Sequence, residues 1–348
     1  MKLRFLHAAD IHMGHRQYGS EQRMNDFSNA FRFMIRDALA SNVDLVLLAG
    51  DLFHKRDLDP RTFIQAATLL DDLRSHGIPV LAIQGNHEGS AYRDAFTWLG
   101  GLAELGLLRV LAATYSEGQM VLEPYDDETK TGAYFDYRGI RVYGLRYAGA
   151  STTRVVEDFT AALKALPPSP SVYNILMLHT GIEGIIDQYA GNLSREQLWA
   201  LRPWIDYIAL GHIHKPFAEE DWIYNPGSLE NNAIDESEWN ERGYYIVDVD
   251  TEANPRHHAT LRQSHRRRTL RCPFSVEAYH TPEDLYAALR RELQKLPKGD
   301  DKPVLEVRLT GLLLFQRADL DLNVISNIAE QEVAPLLREI SAIVKENR

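Results

Sequence analysis

Five short apolar runs along the chain each end in a polar or ionisable residue. They are KLRFLHAA (2–9), VDLVLLAG (43–50), IPVLAIQG (78–85), VYNILML (172–178) and IDYIALG (205–211). Near-continuous apolar runs of this length are typical of strands that are buried on both faces of a sheet. We therefore predict five such strands, each followed at its carboxyl end by a side chain that can take part in chemistry.

Segments with a helical repeat of apolar residues separate these runs. They cover 23–41, 60–76, 92–106 and 153–167, and the second begins with Pro60. The alternation of strands and helices predicts an α/β domain with largely parallel pairing. Because ligands bind beyond the carboxyl ends of such strands, we expect the five polar endings to converge on one edge of a sheet.

Shorter strands with turns replace this pattern between about 108 and 147, and the segments 221–230 and 242–250 have the same character. We interpret them as a second sheet that packs on the first. After a polar stretch, a helix, a strand, a helix and a strand predict a small α/β unit, at 281–296, 303–311, 321–333 and 336–345. The expected domains are 1–262 and 263–348.

Composition narrows the classes of protein that remain. The single cysteine, Cys272, excludes an intramolecular disulfide and a cysteine-based zinc site and suits a reducing cytoplasm. The charge at Lys2 comes too early for a signal peptide and no apolar stretch could cross a bilayer, so we expect a cytoplasmic protein without membrane association. The net charge of −11 is unusual for a nucleic-acid-binding domain, although metal ions would offset it locally. Basic clusters at 14–17, 54–56 and 265–271 are, taken singly, typical of a solvated surface.

The residues at the strand ends form a set with the chemistry of metal ligands. They are Asp10, His12, Asp51, Asn86, His87, His179, His212 and His214. Carboxylate, amide and imidazole donors suit Mn²⁺, Fe²⁺ or Zn²⁺, and there are too many of them for one ion. Two ions that share Asp51 would use them well, and such pairs catalyse in-line displacement at phosphorus.

Each of these residues alone has an ordinary explanation. Asp, Asn and Gly are common in turns, and a lone histidine such as His179 is more often hydrogen-bonded than metal-bound. Their conjunction at five strand ends favours the metal site. The chain has neither a G-x-x-x-x-G-K-[ST] phosphate loop nor a G-x-S-x-G nucleophile elbow, and Cys272 lies outside this edge.

The order of the motifs, D-x-H, G-D, G-N-H-E, H and G-H-x-H, resembles that of the calcineurin-like metallophosphoesterases. Longer stretches resemble the SbcD/Mre-eleven nucleases of double-strand-break repair, namely HAADIHMGHRQYG (7–19), LLAGDLFHKRD (47–57), IQGNHEG (83–89), LGHIHKP (210–216) and NPGSLE (225–230). The resemblance covers almost the whole chain, and the C-terminal segment is similar to the DNA-capping domain of that family. It implies an α/β fold, a two-sheet sandwich flanked by helices, with a small α/β capping domain.

The resemblance also implies a role for each site residue. One ion would be bound by Asp10, His12, Asp51 and His214, and the other by Asp51, Asn86, His179 and His212. His87 would be the catalytic histidine at the scissile phosphate, with Glu88 holding its ring, and His54 would help to seat the nucleotide. Family members usually have Asp at the position of Glu88.

Activity and partners follow from the same resemblance. It implies a Mn²⁺-dependent 3′→5′ double-strand exonuclease and single-strand endonuclease, with Fe²⁺, Mg²⁺ or Zn²⁺ as alternative metals. DNA would be held mainly through its backbone. Family members form homodimers through helices that match roughly 60–76 and 91–106, and they pair with an SMC-like coiled-coil ATPase of the Rad-fifty or SbcC type.

Two alternatives stay open from the sequence. The same metal core serves phosphatases and cyclic-nucleotide phosphodiesterases, and a scaffold that recruits an ATPase to DNA ends could be catalytically silent. The G-N-H-E spelling is that of Ser/Thr protein phosphatases, but these follow G-D with D-R-G, which GDLFHKRD (50–57) lacks. The complete ligand set argues against a silent scaffold.

Overall fold

The computed structural model describes residues 1–89, 96–167, 171–186 and 192–346. Met1–Asn232 and Trp239–His265 form one compact unit, and Ala233–Glu238 and Arg266–Arg348 form another. The chain passes from the first unit to the second after His265, close to the domain boundary that we propose between residues 262 and 263.

Within the described residues the chain forms seventeen strands. They are β1 (Lys2–Ala8), β2 (Leu45–Leu48), β3 (Val80–Ala82), β4 (Arg109–Val110), β5 (Thr114–Ser116), β6 (Gln119–Val121), β7 (Tyr134–Tyr137), β8 (Ile140–Gly144), β9 (Tyr173–His179), β10 (Tyr207–Gly211), β11 (Phe217–Glu219), β12 (Ile223–Asn225), β13 (Gly243–Asp250), β14 (His257–Gln263), β15 (Thr269–Ser275), β16 (Val304–Leu313) and β17 (Leu337–Glu346).

The same residues form seven α-helices and a short 3-10 helix over Asn86–Glu88 that matters for the site. The α-helices are α1 (Glu21–Ala40), α2 (Pro60–Ser75), α3 (Trp98–Glu104), α4 (Thr152–Ala165), α5 (Arg195–Trp199), α6 (Pro282–Gln294) and α7 (Leu322–Val333). None of the helices in the described part of the chain combines the length and apolar character needed to cross a bilayer.

The first unit contains two six-stranded mixed sheets. Their strand orders are β14-β13-β1-β2-β3-β4 and β11-β12-β10-β9-β8-β7. Alternate residues of the central strands belong to different hydrophobic clusters. Phe5 and Leu47 pack in a cluster that includes residues of the second sheet, whereas Leu6 and Val46 pack with α1, α2 and α3. Helices α4 and α5 pack in the same way on the second sheet. The predicted sandwich of two sheets flanked by helices is confirmed.

Local sequence signals explain where the helices begin. The Ser20 side chain accepts a hydrogen bond from the Arg23 N–H at the start of α1. At the start of α2 the Asp59 side chain accepts a hydrogen bond from the Arg61 N–H, and Pro60 lies in the first turn, as predicted. The predicted helix at 92–106 is observed as α3 over Trp98–Glu104, and its residues 92–95 lie outside the described residues.

The five predicted strands exist, but they do not share one sheet. Strands β1, β2 and β3 lie in the first sheet, whereas β9 and β10 lie in the second. The segment 242–250 was expected in the second sheet, but it forms β13, which pairs antiparallel with β1 in the first. Strand pairing is decided by which faces meet in three dimensions, and an apolar run by itself carries no information on its neighbour.

The second unit is built from two parallel β-α-β crossovers. Strands β15, β16 and β17 lie side by side in parallel, and α6 and α7 pack on them through one apolar cluster. Strand β15 was missed because its sequence begins in the basic segment 265–271. Two arginines of that segment pair with acids of the same unit, Arg268 with Asp301 at 2.5 Å and Arg271 with Glu306 at 2.6 Å.

Candidate metal centre

The strand-end residues meet where the carboxyl ends of both sheets come together. Asp10 and His12 follow β1, Asp51 follows β2, and Asn86 follows β3. His179 is the last residue of β9, and His212 and His214 follow β10. The convergence that we predicted on one sheet edge is therefore found at the paired edges of two sheets.

Several of these residues have a backbone conformation that is unusual for residues other than glycine. The φ angle is +52° at Asp10, +53° at His12, +55° at Asp51 and +90° at His212. Left-handed backbone at non-glycine residues has an energetic cost, and such strain clusters at functional sites. Here each turn directs a side chain toward the common centre directly after its strand ends.

Glycines next to the ligands allow the chain segments to approach closely. A Cβ atom at Gly85 would lie 2.1 Å from Asp51 Oδ1, and one at Gly50 would lie 2.3 Å from His179 Nδ1. Gly50 also has a φ angle of +93°. Any side chain at these two positions would displace a candidate ligand.

One group of donors surrounds Asp10 and two histidines. The Nε2 atoms of His12 and His214 lie 3.0 Å apart, and His12 Nε2 lies 4.0 Å from both Asp10 Oδ1 and Asp51 Oδ2. The Asp10 carboxylate also accepts hydrogen bonds from the His212 N–H, at 2.9 and 3.1 Å. These contacts fix the orientation of the Asp10 carboxylate.

A second group of donors surrounds Asn86. Its Oδ1 atom lies 3.0 Å from His179 Nε2 and 3.0 Å from His212 Nδ1. Asp51 Oδ2 lies 3.2 Å from His179 Nε2, so this carboxylate reaches both groups of donors. The His179 Nδ1–H donates to the Ala49 carbonyl at 2.8 Å, which leaves Nε2 directed at the centre.

The donor set fits divalent metal ions. Donor atoms bound to one ion at about 2.1 Å lie about 3–4 Å apart, and the distances given for the two groups are 3.0–4.0 Å. Among the described ion pairs, Asp10 and Asp51 have only histidines as partners, although both carboxylates are buried. Two buried carboxylates whose partners are histidines form a favourable site for a cation. The residues present therefore suit divalent ions.

Burial and neighbouring charges shift the titration of these groups. Burial raises the pKa of Asp10 to about 6. Burial would also raise the pKa of Asp51, but His179 and His12 outweigh it and hold this pKa well below its usual range. Burial would lower the pKa of His179, but the Asp51 and Asp10 carboxylates raise it to about 9. Binding of a cation at Asp51 must therefore release the His179 proton.

Three further imidazoles, those of His212, His12 and His54, stay neutral near pH 7. Burial and the nearby His179 lower the pKa of His212 to about 3, and burial and His214 hold the pKa of His12 well below its usual range. Burial and the neighbouring His15 and His87 lower the pKa of His54 to about 3. Neutral imidazole is the form in which histidine binds metals.

The two predicted catalytic histidines lie side by side above the ligands. The rings of His54 and His87 are stacked with centroids 5.2 Å apart. His87 Nδ1–H donates to the His54 carbonyl at 2.5 Å, and His87 Nε2 lies 4.0 Å from Asp51 Oδ2. The side chain of His87 is 35% exposed, so the ring is accessible to a substrate.

Glu88 has a different role from the one that we expected. Its carboxylate accepts hydrogen bonds from the backbone N–H groups of Asp51, Phe53 and Gly85, at 3.0–3.1 Å. The His87 ring is held by the His54 carbonyl and not by Glu88. Burial and the charge of Asp51 raise the pKa of Glu88 to about 7. Glu88 thus ties the 3-10 helix that carries Asn86 to the loop that carries Asp51.

Three residues at the site were not predicted from the sequence. The Tyr147 ring lies 5.3 Å from the His212 ring, the His15 ring lies 3.7 Å from the His54 ring, and Asn232 Nδ2 lies 3.4 Å from His214 Nδ1. Tyr147 follows β8, which runs parallel to β9. Its position after an apolar run was a usable signal: β8 pairs antiparallel with β7, but its parallel pairing with β9 at the ligand edge was not predicted.

Comparison with known proteins agrees with this site. A model of the calcineurin-like phosphoesterase family matches residues 3–216, which is more than half of the chain. The chain is 32% identical over 254 residues to the DNA double-strand break repair protein Mre11 of Archaeoglobus fulgidus, covering 68% of this chain and 52% of that protein. It is 30% identical over 312 residues to Mre11 of Halobacterium salinarum, covering 88% of this chain and 70% of that protein.

A third relative is Mre11 of Methanosarcina acetivorans, which is 29% identical over 308 residues, covering 86% of this chain and 45% of that protein. The chain thus spans about half the length of the Archaeoglobus and Methanosarcina proteins. The ligand motifs fall within the residues that the family model matches. The chain therefore belongs to the calcineurin-like phosphoesterase family and, within it, to the family of its Mre11 relatives.

Proposed function

We propose that this protein is a two-metal DNA nuclease of double-strand-break repair, a 3′→5′ exonuclease on double strands and an endonuclease on single strands. The observation that carries the proposal is the convergence of seven candidate ligands from both sheets on one buried centre. The relatives are named as double-strand break repair proteins, which supports DNA as the substrate.

We assign two divalent ions to this centre, with Mn²⁺ as the favoured metal. One is assigned to Asp10, His12, Asp51 and His214, and the other to Asp51, Asn86, His179 and His212. When bound, such a pair lowers the pKa of water and stabilises charge on phosphate oxygens. The protein's own contribution is to hold the ligand atoms in position before the substrate binds.

His87 and His54 are assigned to the substrate. His87 Nδ1–H is engaged with the His54 carbonyl, so the Nε2 edge is the one that can meet a phosphate oxygen. A protonated Nε2 would donate to that oxygen or to the leaving 3′-oxygen. His54, which stays neutral, would act by packing and hydrogen bonding against the nucleotide.

DNA is the macromolecular partner in this proposal, held mainly by backbone contacts with weak sequence preference. The net charge of −11 does not argue against this, because two divalent ions supply positive charge where a phosphate would bind. We also propose that the chain forms a homodimer and works with an SMC-like coiled-coil ATPase. Exposed apolar side chains on and beside α2 and α3, Ile64, Phe96 and Leu105, support the homodimer.

The experiment that tests the function compares three substrates side by side. Linearised plasmid DNA, a single-stranded oligonucleotide and p-nitrophenyl phosphate are each incubated with the protein in Mn²⁺, Mg²⁺ or EDTA. We expect Mn²⁺-dependent cleavage of both DNAs and little release of p-nitrophenol. Rapid monoester hydrolysis without DNA cleavage would identify a phosphatase, and metal binding without any hydrolysis would identify a silent scaffold.

A further inference from the structure

A recess of about 440 Å³ lies beside the metal centre. Its lining includes Tyr147, whose ring lies 5.3 Å from the His212 ring and 5.9 Å from the His179 ring, measured between centroids. Tyr115, Met120 and Arg146 also line it. Tyr147 therefore borders both the recess and two of the candidate ligands.

Backbone hydrogen bonds fix the residues that join the recess to the centre. The Leu145 N–H donates to the Met177 carbonyl in β9, at 3.2 Å. The Tyr147 N–H donates to the Gln84 carbonyl, which lies two residues before Asn86, at 2.9 Å. Tyr147 is thus anchored to both sheets at the same edge as the ligands, and its position depends on neither metal nor substrate.

The side chains of the recess combine aromatic rings, a cation and apolar surface. Tyr115 is 48% exposed, and Arg146 is exposed as well. Aromatic rings stack with nucleic-acid bases, and a guanidinium either pairs with phosphate or stacks on a base. A volume of about 440 Å³ lies within the range of small-molecule pockets, so a nucleoside with any of the four bases fits.

The Tyr115 hydroxyl is already engaged. It donates to Asp158 Oδ2 at 2.9 Å, which orients the ring and leaves its face as the available contact. Contact through ring faces does not distinguish one base from another, because every base has a π-face. The recess is therefore suited to binding any of the nucleobases. The Asp158 carboxylate beside Tyr115 disfavours a bare phosphate at that end of the recess.

We propose that this recess binds the base and sugar of the nucleotide next to the phosphate at the metal centre. The base would stack on Tyr147 and Tyr115, and Arg146 would face the adjoining phosphate. This subsite rests on the proposed function, because it assumes that the phosphate is part of a DNA strand. It adds that one nucleotide is held unstacked from its neighbour while the phosphodiester is hydrolysed.

A binding experiment tests the subsite without relying on activity. Calorimetric titration of the full chain with dAMP and with 2-deoxyribose 5-phosphate, both in Mn²⁺, measures the contribution of the base. We expect dAMP to bind about tenfold more tightly, which is the order expected for one stacked base. In Tyr147→Ala the ratio of the two dissociation constants should fall to near one, and in Tyr147→Phe it should be retained.

A kinetic experiment separates this subsite from a merely structural role of Tyr147. The ratio of kcat/KM for thymidine 5′-(p-nitrophenyl phosphate) to that for bis(p-nitrophenyl) phosphate should fall about tenfold in Tyr147→Ala. Equal loss on both substrates would overturn the proposal and make Tyr147 a support for His212 and His179. Phe33→Ala, which removes an exposed aromatic ring from α1, is the matched control.

Failure of the proposed function gives a different result. If the wild-type protein hydrolyses neither ester but still binds dAMP about tenfold better than the sugar phosphate, the nuclease assignment fails and the subsite stands. If dAMP and the sugar phosphate bind equally well to the wild type, the subsite is wrong whatever the activity. Circular dichroism and metal content of each variant establish that the comparison is made on folded, metal-loaded protein.

Discussion

His87 and its neighbour Asn86 have different partners although they are adjacent in the chain. Asn86 Oδ1 contacts two candidate ligands, whereas the His87 ring is held by the His54 carbonyl and is 35% exposed. Chemistry and metal binding can therefore be separated by changing His87 alone.

We expect His87→Ala to bind two Mn²⁺ ions and DNA nearly as the wild type does but to lose about 10²–10⁴-fold in turnover, the usual contribution of a catalytic acid or charge stabiliser. Calorimetric titration and single-turnover cleavage measure the two quantities. His258→Ala, at an exposed position of β14, is the control. A variant that cleaves DNA at the wild-type rate, or that lacks one ion, would contradict the role given to His87.

Asp51 is the residue that reaches both groups of donors. Its Oδ2 atom lies 3.2 Å from His179 Nε2 and 4.0 Å from His12 Nε2. We expect Asp51→Asn to abolish Mn²⁺-dependent cleavage and to weaken binding of both ions, whereas His214→Ala should disturb mainly one. Titration of Mn²⁺ by calorimetry distinguishes the two variants. Two sites of full affinity in Asp51→Asn would rule out a shared ligand.

At the scale of elements, Glu88 joins two turns that carry ligands. Its three backbone hydrogen bonds connect the Asn86–Glu88 turn with the segment from Asp51 to Phe53. The amide of Glu88→Gln has only one acceptor oxygen and presents an NH₂ group to backbone donors. The cost of leaving a buried donor without a partner is about 1–3 kcal/mol.

We expect Glu88→Gln to weaken Mn²⁺ binding, because a backbone donor that positions Asn86 or Asp51 loses its acceptor, whereas Glu88→Asp, which keeps both oxygens, should lose less. Calorimetric titration with Mn²⁺ at pH 8, above the Glu88 pKa of about 7, measures the effect with the wild-type carboxylate ionised. Unchanged Mn²⁺ affinity in Glu88→Gln would show that these hydrogen bonds contribute little to the site.

Helices α2 and α3 are mostly ordinary core elements. Leu69, Leu73 and Leu102 are buried against the first sheet, so packing in the core explains these apolar residues. Three apolar side chains remain exposed on or beside these helices: Ile64 at 62%, Phe96, just before α3, at 60%, and Leu105, just after α3, at 53%. A two-fold interface needs only such a self-complementary patch.

We expect Ile64→Glu combined with Phe96→Glu to convert a dimer to a monomer, because two buried charges per protomer would face each other across the two-fold axis. Light scattering at micromolar concentration reports the mass. Val172→Glu, at another exposed apolar position, is the control. A wild-type protein that is already monomeric at this concentration would remove the basis for the interface.

At the scale of the whole molecule, His7 links the two sheets. It lies in β1, is fully buried, and contacts the Tyr207 hydroxyl at 3.0 Å and the Leu210 carbonyl at 2.9 Å, both in β10. A neutral ring satisfies both contacts, since Nε2–H donates to the carbonyl and Nδ1 accepts from the hydroxyl. Burial lowers the pKa of His7 to about 4.

The unfolded chain takes up a proton at His7 near pH 6.5, whereas the folded protein does so only near pH 4. His7 therefore contributes full stability above pH 6.5, and this contribution is lost as the pH falls toward 4, by about 3 kcal/mol in total. We expect the free energy of unfolding of the metal-free protein to fall more steeply over this range than that of His7→Phe, by about 1.4 kcal/mol per pH unit. Equal slopes would show that His7 titrates alike in both states.

Much of the first unit was predictable because its signals are local. Apolar runs followed by Asp, Asn or His identify β1, β2, β3, β9 and β10, and the caps and periodicity identify α1 and α2. Strands β14 and β15 escaped prediction because they are edge strands with mixed polar and apolar residues, 257–263 and 269–275. Strand β14 pairs antiparallel with the preceding β13, whereas β15 pairs in parallel with β16 across the intervening helix α6, so that its partners are distant in the chain.

The sequence by itself determined which residues are candidate ligands, the helical and strand identity of most segments, and the expectation of two ions, because residue type and spacing carry that chemistry. Only the tertiary structure decided that the ligands come from two sheets, that Glu88 binds backbone N–H groups while the His54 carbonyl holds His87, and that Tyr147 borders the site. These contacts join residues far apart in the chain. Which of them form depends on how the two sheets pack, and no local pattern of residues specifies that packing.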